Sequence, residues 1–193
     1  MKVVGIYGSP RKNGNSDVLL DKALEGAQSL GAEVSKLFAR KLNIGGCLEC
    51  GGCDETGACV IRDDMDRVYA ELLTADAVIM AAPVFFYGVP AQLKALIDRC
   101  QAMWSKRRIE KSPEQRKTYD RGRGYLIGVG ASRGKQLFDG MELTAKYFYD
   151  ALDMSYEGSL LMRGLDAKED AVQKPKMLAE AFEFGRQVVQ AAK

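Results

Sequence analysis

Four of the five cysteines fall within 13 residues, in the order Cys47-x2-Cys50-x2-Cys53-x5-Cys59. Two-residue spacers let successive thiolates converge on one centre, and four soft donors suit a [4Fe–4S] cluster or a tetrahedral zinc ion. Gly45, Gly46, Gly51, Gly52 and Gly57 supply the tight backbone that such wrapping needs. The other reading is a set of free or disulfide-forming thiols, because exposed clusters are lost on oxidation and thiols then pair. Cys100 stands apart on a helical pattern and reads as a small buried hydrophobe.

A different chemistry is written at Gly8-Ser9-Pro10-Arg11-Lys12-Asn13-Gly14-Asn15-Ser16. Two cations, two glycines and short polar side chains just before a helix can offer backbone N–H groups, a hydroxyl and a guanidinium to one phosphate. Five residues separate Gly8 from Gly14 and Asn15 follows, so the loop is not a Walker A motif, and Gly5-x-x-Gly8 lacks the third glycine of the dinucleotide fingerprint. Two further loops share the theme of close backbone approach. Pro83-Val84-Phe85-Phe86-Tyr87-Gly88, followed by Pro90, offers aromatic and aliphatic cover to a flat apolar ring with a polar rim. Gly130-Ala131-Ser132-Arg133-Gly134 is small and open, a weaker signal by itself.

These loops need elements to hold them. The apolar run at 2–7 reads as a strand buried on both faces, followed by a helix from Asn15-Ser16 to Leu30. A second strand is predicted over 33–38, and the cysteine segment 45–59 is loop. Asp63-Asp64 can then cap a helix that runs to Leu73. The most apolar run, 76–86, reads as the central strand, and a helix follows from Pro90 to about Met103. Strands over 125–131 and 156–162 alternate with helices over 139–152 and 175–192. Five strands alternating with five helices imply an α/β protein whose parallel sheet is covered on both faces. In such a sheet, ligands sit beyond the carboxyl ends of the strands, where the three loops above fall.

The first loop, G-S-x-R-x-x-G-N-S, resembles that of the flavodoxin-like NAD(P)H-dependent FMN reductases, and the likeness extends along nearly the whole chain. The resemblance implies a single domain over 1–193, a three-layer flavodoxin-like sandwich with strand order 2-1-3-4-5. It implies that Ser9, Arg11, Asn13, Asn15 and Ser16 hold the FMN phosphate, with Lys12 solvated at the rim. Pro83, Val84, Phe85, Phe86, Tyr87 and Gly88 would border the isoalloxazine ring, and Gly130, Ala131, Ser132 and Arg133 would form the second flavin loop. Arg133 is left between a contact to the flavin, a contact to an incoming nicotinamide nucleotide, and plain solvation. The cysteine motif and its tail Cys59-Val60-Ile61-Arg62-Asp63-Asp64-Met65 resemble those of the iron–sulfur flavoproteins. That branch carries a cluster beside FMN, so Cys47, Cys50, Cys53 and Cys59 become its implied ligands. Dimers or tetramers, with a second subunit near the flavin, are implied as well.

Composition narrows the function classes. The chain has 193 residues, 47% of them hydrophobic, a formal charge of +2 and no His, which excludes His catalysis and argues against a broadly basic nucleic-acid binder. Residues 104–123 nevertheless hold eight Lys or Arg against three Asp or Glu. This basic insertion is read as a solvated loop near the flavin end, a lid that attracts a phosphorylated nicotinamide, or a subunit contact through Trp104. Neither an 18-residue apolar run nor a signal-peptide pattern is present, so the expected place is the cytoplasm, with neither membrane nor nucleic-acid partners. The expected activity passes electrons from NAD(P)H or ferredoxin through FMN to a quinone, an oxygen species or a metal ion. The alternatives are a flavodoxin-type electron carrier and a thiol-based redox sensor.

Overall fold

The computed structural model describes residues 1–191, so the expected end of the last helix at 192 lies outside the described residues. Five parallel strands, β1 (Lys2–Tyr7), β2 (Glu33–Phe38), β3 (Ala77–Pro83), β4 (Gly122–Gly130) and β5 (Met154–Arg163), lie in the order β2-β1-β3-β4-β5. Six helices connect or flank them: α1 (Asn15–Gln28), α2 (Met65–Leu73), α3 (Ala91–Arg99), α4 (Gln101–Glu110), α5 (Asp139–Ala151) and α6 (Pro175–Gln190). The expected strand order and three-layer arrangement are those observed.

Continuous apolar runs form the central strands because both faces are covered. Val4, Ile6, Val78 and Met80 point to a core shared with α2, α3 and α5, while Val3, Tyr7, Ala77 and Ile79 point to one shared with α1 and α6. Each fully buried side chain of this size contributes roughly 1.5–3 kcal/mol, so the central pair anchors both layers. The order reverses direction at β1, whose neighbours are β2 and β3, and a crevice opens between the loops that follow β1 and β3.

The long helix predicted from Pro90 is two helices that meet at Cys100, and the second extends to Glu110. The part of the basic insertion up to Glu110 is therefore helical rather than loop. Its position is also corrected. A crossover that leaves the carboxyl end of β3 must deliver the chain to the amino end of β4, so residues 106–121 lie at the edge opposite the loop between β1 and α1, beside Leu73, Leu152 and Asp153. A lid over a flavin is thus ruled out for this segment. Its charge is used locally: Arg107, 5% exposed, pairs with Asp150 and Asp153 at 2.8 Å each and donates to the Arg116 and Thr118 carbonyls. Lys111 pairs with Asp120 and Asp153, and Arg108 stacks over Trp104.

Candidate active site

The loop between β1 and α1 is built by its own backbone. The Ser9 hydroxyl accepts from the Arg11 N–H and donates to the Arg11 carbonyl, and the Gly8 N–H bonds to the Ala81 carbonyl at 2.8 Å. A Cβ on Gly8 would stand 2.4 Å from Leu93 and 3.0 Å from that carbonyl, so only glycine allows the loop this close to β3. Asn13 adopts φ 56° and its N–H donates to the Asp17 carboxylate, which also pairs with Arg40 at 2.9 Å. Arg40 donates in turn to the Ser9 carbonyl. Burial pushes the Asp17 carboxyl above its ordinary range, against the opposing pull of Arg40 and the Asn13 N–H.

The cap residue of α1 is Gly14, and no side chain caps the helix. Its first-turn N–H groups are therefore available to an external acceptor, at the positive end of the helix dipole. Ser9, Arg11, Gly14, Asn15 and Ser16 line one cleft of about 260 Å³ together with Pro83, Val84, Phe85, Gly130 and Ala131. Among the described residues the buried Ser16 hydroxyl has no protein hydrogen-bond partner, and Arg11 has no ion-pair partner. A hydroxyl, a guanidinium and unshared N–H groups on one wall suit an oxyanion.

Not every expected residue reaches this cleft. The Asn15 amide lines it but is occupied, donating to the Ala167 carbonyl and accepting from the Ala171 N–H, so it braces the loop before α6. Asn13 is exposed and does not line the cleft; only its backbone N–H meets Asp17. Phe86, Tyr87 and Gly88 lie outside the cleft, in a tight turn closed by reciprocal hydrogen bonds between Phe85 and Gly88. Phe86 and Tyr87 have φ of 49° and 63°, the region a two-residue type I′ turn demands and bulky side chains avoid. Such strain costs on the order of 1–3 kcal/mol per residue, and it leaves Phe86 at 103% exposure next to the cleft. Ser132 and Arg133 are exposed and do not line the cleft.

Cys47, Cys50, Cys53 and Cys59 line a second, separate cavity of about 620 Å³ with Arg99, Ala102, Trp104 and Arg108. No disulfide joins any of the four in the structure. Among the described residues no group of three or more His, Cys, Asp or Glu stands close enough to hold a metal ion. The donor chemistry fits a soft metal centre; the thiols face one space without converging. The loop docks on α4 through Gly57, where φ is 67° and a Cβ would stand 2.7 Å from the Lys106 backbone. The Cys53 sulfur approaches the buried Ser105 hydroxyl at 3.6 Å. Cys100 is buried as expected, and burial pushes its thiol up to about 12.

Residues 1–139 match the model of the NADPH-dependent FMN reductase family. The chain belongs to this family. An iron–sulfur flavoprotein from Methanosarcina thermophila is 37% identical over 150 residues, 78% of this chain and 72% of that protein. Another, from Archaeoglobus fulgidus, is 48% identical over 99 residues, which is 51% of this chain and 45% of that relative's length. In fold, the chain is similar to an NAD(P)H:quinone oxidoreductase from Methanothermobacter marburgensis, with a TM-score of 0.74 and 16% identity over 97% of this chain and 95% of that one.

In this FMN reductase family member, four side chains that brace the loops carry no motif of their own. Asp17 and Arg40 hold the β1–α1 loop from a helix and from the turn after β2. Asp63 reads in sequence only as a helix cap, yet its carboxylate binds Arg99. Arg99 has one visible signal: it follows Leu93 and Leu96 at three-residue steps, a charge on the apolar stripe of α3. The lining residues Leu165 and Asp166, after β5, carry none.

Proposed function

We propose that the chain is an FMN-dependent oxidoreductase that passes electrons from NAD(P)H to a small acceptor such as a quinone, an oxygen species or a metal ion. The observation that carries this reading is the cleft that Arg11, Ser16 and the uncapped start of α1 line together with an apolar wall. Bound FMN supplies the redox chemistry, exchanging electrons in pairs or singly. The chain's own residues supply the rest. Arg11 and Ser16 hold the phosphate, Pro83, Val84 and Phe85 exclude water from one side, and Gly130 and Ala131 allow backbone N–H groups close to a ring edge. No His or other proton-transferring side chain is required for hydride transfer.

The cysteine loop adds a second centre in this reading, a [4Fe–4S] cluster on Cys47, Cys50, Cys53 and Cys59. Its support is the spacing, the shared cavity, and the names of the two iron–sulfur flavoproteins. Ferredoxin is the alternative donor if single electrons enter there. Exposed Phe86, Tyr87, Leu143 and Tyr147 support a dimer or tetramer. Among the described residues no helix is long and apolar enough to cross a membrane. The near-balanced charge supports a protein without a nucleic-acid partner, and the reading places it in the cytoplasm.

Anaerobic purification with flavin, iron and sulfide analysis, followed by turnover of NADPH and NADH with a quinone, tests both parts. The expected result is one FMN per chain, iron bound in the cysteine loop, and quinone-dependent oxidation of the nicotinamide. Bound FMN without turnover from either nicotinamide or reduced ferredoxin would sink the reductase reading. Turnover without iron would remove the cluster and leave a plain FMN reductase.

A further inference from the structure

Arg99, the last residue of α3, is the largest side chain that the fold hides almost completely, at 1% exposure. A buried cation is costly unless paired and hydrogen-bonded, and an apolar side chain would fill the same space at less desolvation cost. Its partners explain its presence. The guanidinium meets Asp63 fork to fork, Nη1 to Oδ2 at 2.6 Å and Nη2 to Oδ1 at 3.2 Å. Nη1 also donates to the Gly45 carbonyl at 3.3 Å, and Nη2 to the Ile61 carbonyl at 3.4 Å and the Cys59 sulfur at 3.5 Å. Gly45 lies where the chain enters the cysteine run, and residues 59–63 lie where it leaves. One planar group therefore gathers both ends of a loop of 15 residues that has no helix or strand of its own. Its Nε has no partner, and the side chain forms part of the wall of the cysteine cavity.

We propose that Arg99 is the positioning residue of the cysteine loop: it clamps both ends and donates an N–H to the Cys59 sulfur, setting the reduction potential and retention of a thiolate-bound centre. This rests on reading the four cysteines as ligands. A hydrogen bond to a ligating sulfur favours the more negative, reduced state and raises the potential. Asp63 neutralises the same guanidinium, so the two residues act with opposite sign. A purely structural pair would not produce that sign difference.

The test uses the FMN-loaded protein with its iron–sulfur centre assembled anaerobically, as wild type, R99K and D63N. Lysine keeps the charge but cannot serve Asp63, two carbonyls and a sulfur together. The amide introduced by D63N keeps an oxygen for the Met65 N–H and for Arg99 Nη2, and removes the charge together with the acceptor that faces Arg99 Nη1. At a fixed electrochemical poise, R99K should lower the reduced-to-oxidised ratio of the centre about 5-fold and D63N should raise it by a similar factor. Iron release to a chelator should quicken in R99K. Shifts of the same sign, or none, overturn the tuning role; if R99K fails to retain FMN, a missing or downward shift in D63N does so alone. A second arm measures amide hydrogen exchange over 45–63 in reduced, iron-free, FMN-loaded protein, where R99K should raise exchange about 10-fold. Unchanged exchange there overturns the clamp. A wild-type chain that takes up no iron overturns the ligand reading and the tuning with it, while the exchange arm still decides the clamp.

Discussion

The β1–α1 loop and the cysteine loop leave the sheet at the same edge, after neighbouring strands, yet they are held in different ways. The first is seven residues of backbone fastened to β3, α1 and Arg40, and Ser9, Arg11 and Gly14 line one cleft. The second is a long excursion with no regular structure, fixed at its base by Arg99 and along its side by Gly57 and Ser105, and its four thiols face a common space without meeting. A phosphate needs N–H groups at a helix start, which the fold supplies as a by-product of making α1. A metal needs thiolates within bonding distance of one point, and much of that order comes from the metal itself. The comparison separates a loop fixed by its own hydrogen bonds from one fixed mainly at its base.

The sharpest way to break the comparison is C50S, expected to abolish iron binding while leaving one FMN per chain. Loss of both together, measured by iron and flavin content, would show that the two sites are one cooperative unit. Next in size is the contrast between two glycines. Overpacking at Gly8 should cost about 2–3 kcal/mol in G8V, lowering the midpoint of thermal unfolding by several degrees. G57V should leave that midpoint almost unchanged and instead raise hydrogen exchange over 45–63, because it detaches a loop rather than wedging a strand.

Within the cleft, R11A should weaken FMN about 30-fold, roughly the 2 kcal/mol of a charge-assisted hydrogen bond, and S16A about 5-fold, or roughly 1 kcal/mol, by flavin fluorescence titration. An equal effect of N13A would contradict the placement of Asn13 away from the cleft. The smallest effect is acid response. Burial opposes ionisation of Asp63, but hydrogen bonds from Arg99 and the Met65 N–H outweigh it and hold the carboxyl below the ordinary range. The stability it contributes is thus present above the ordinary aspartate value of about 3.9 and lost as pH falls through the lower folded value. Asp17 is raised, so its protonation on acidification relieves a burial cost. Exchange over 45–63 should rise below about pH 4 while that over 8–17 does not, and D63N should abolish the difference.

Much of the fold was legible from period alone. Runs such as 2–7 and 76–83 are apolar at every position because both faces of a parallel strand are covered, and the phosphate and cysteine motifs are local enough to be read as strings. The basic insertion was misplaced for the opposite reason: a charge count has no direction, and only the crossover geometry carries residues 106–121 to the far edge of the sheet. Asn15 shows the same limit at one side chain, since its type suits a phosphate and its actual partners lie 152 and 156 residues away.

The sequence by itself determined the alternation of strands and helices, the polar glycine-bearing loop before α1, the four-thiol spacing and the absence of His, because each depends on neighbours along the chain. Only the tertiary structure decided that Arg107 is neutralised at the far edge, that Phe86 stands out beside the cleft, and that Arg99 joins Gly45 to Asp63. Those outcomes turn on contacts between residues far apart in sequence. Burial then compels each charge to find a partner, and the partner's identity is a property of the fold.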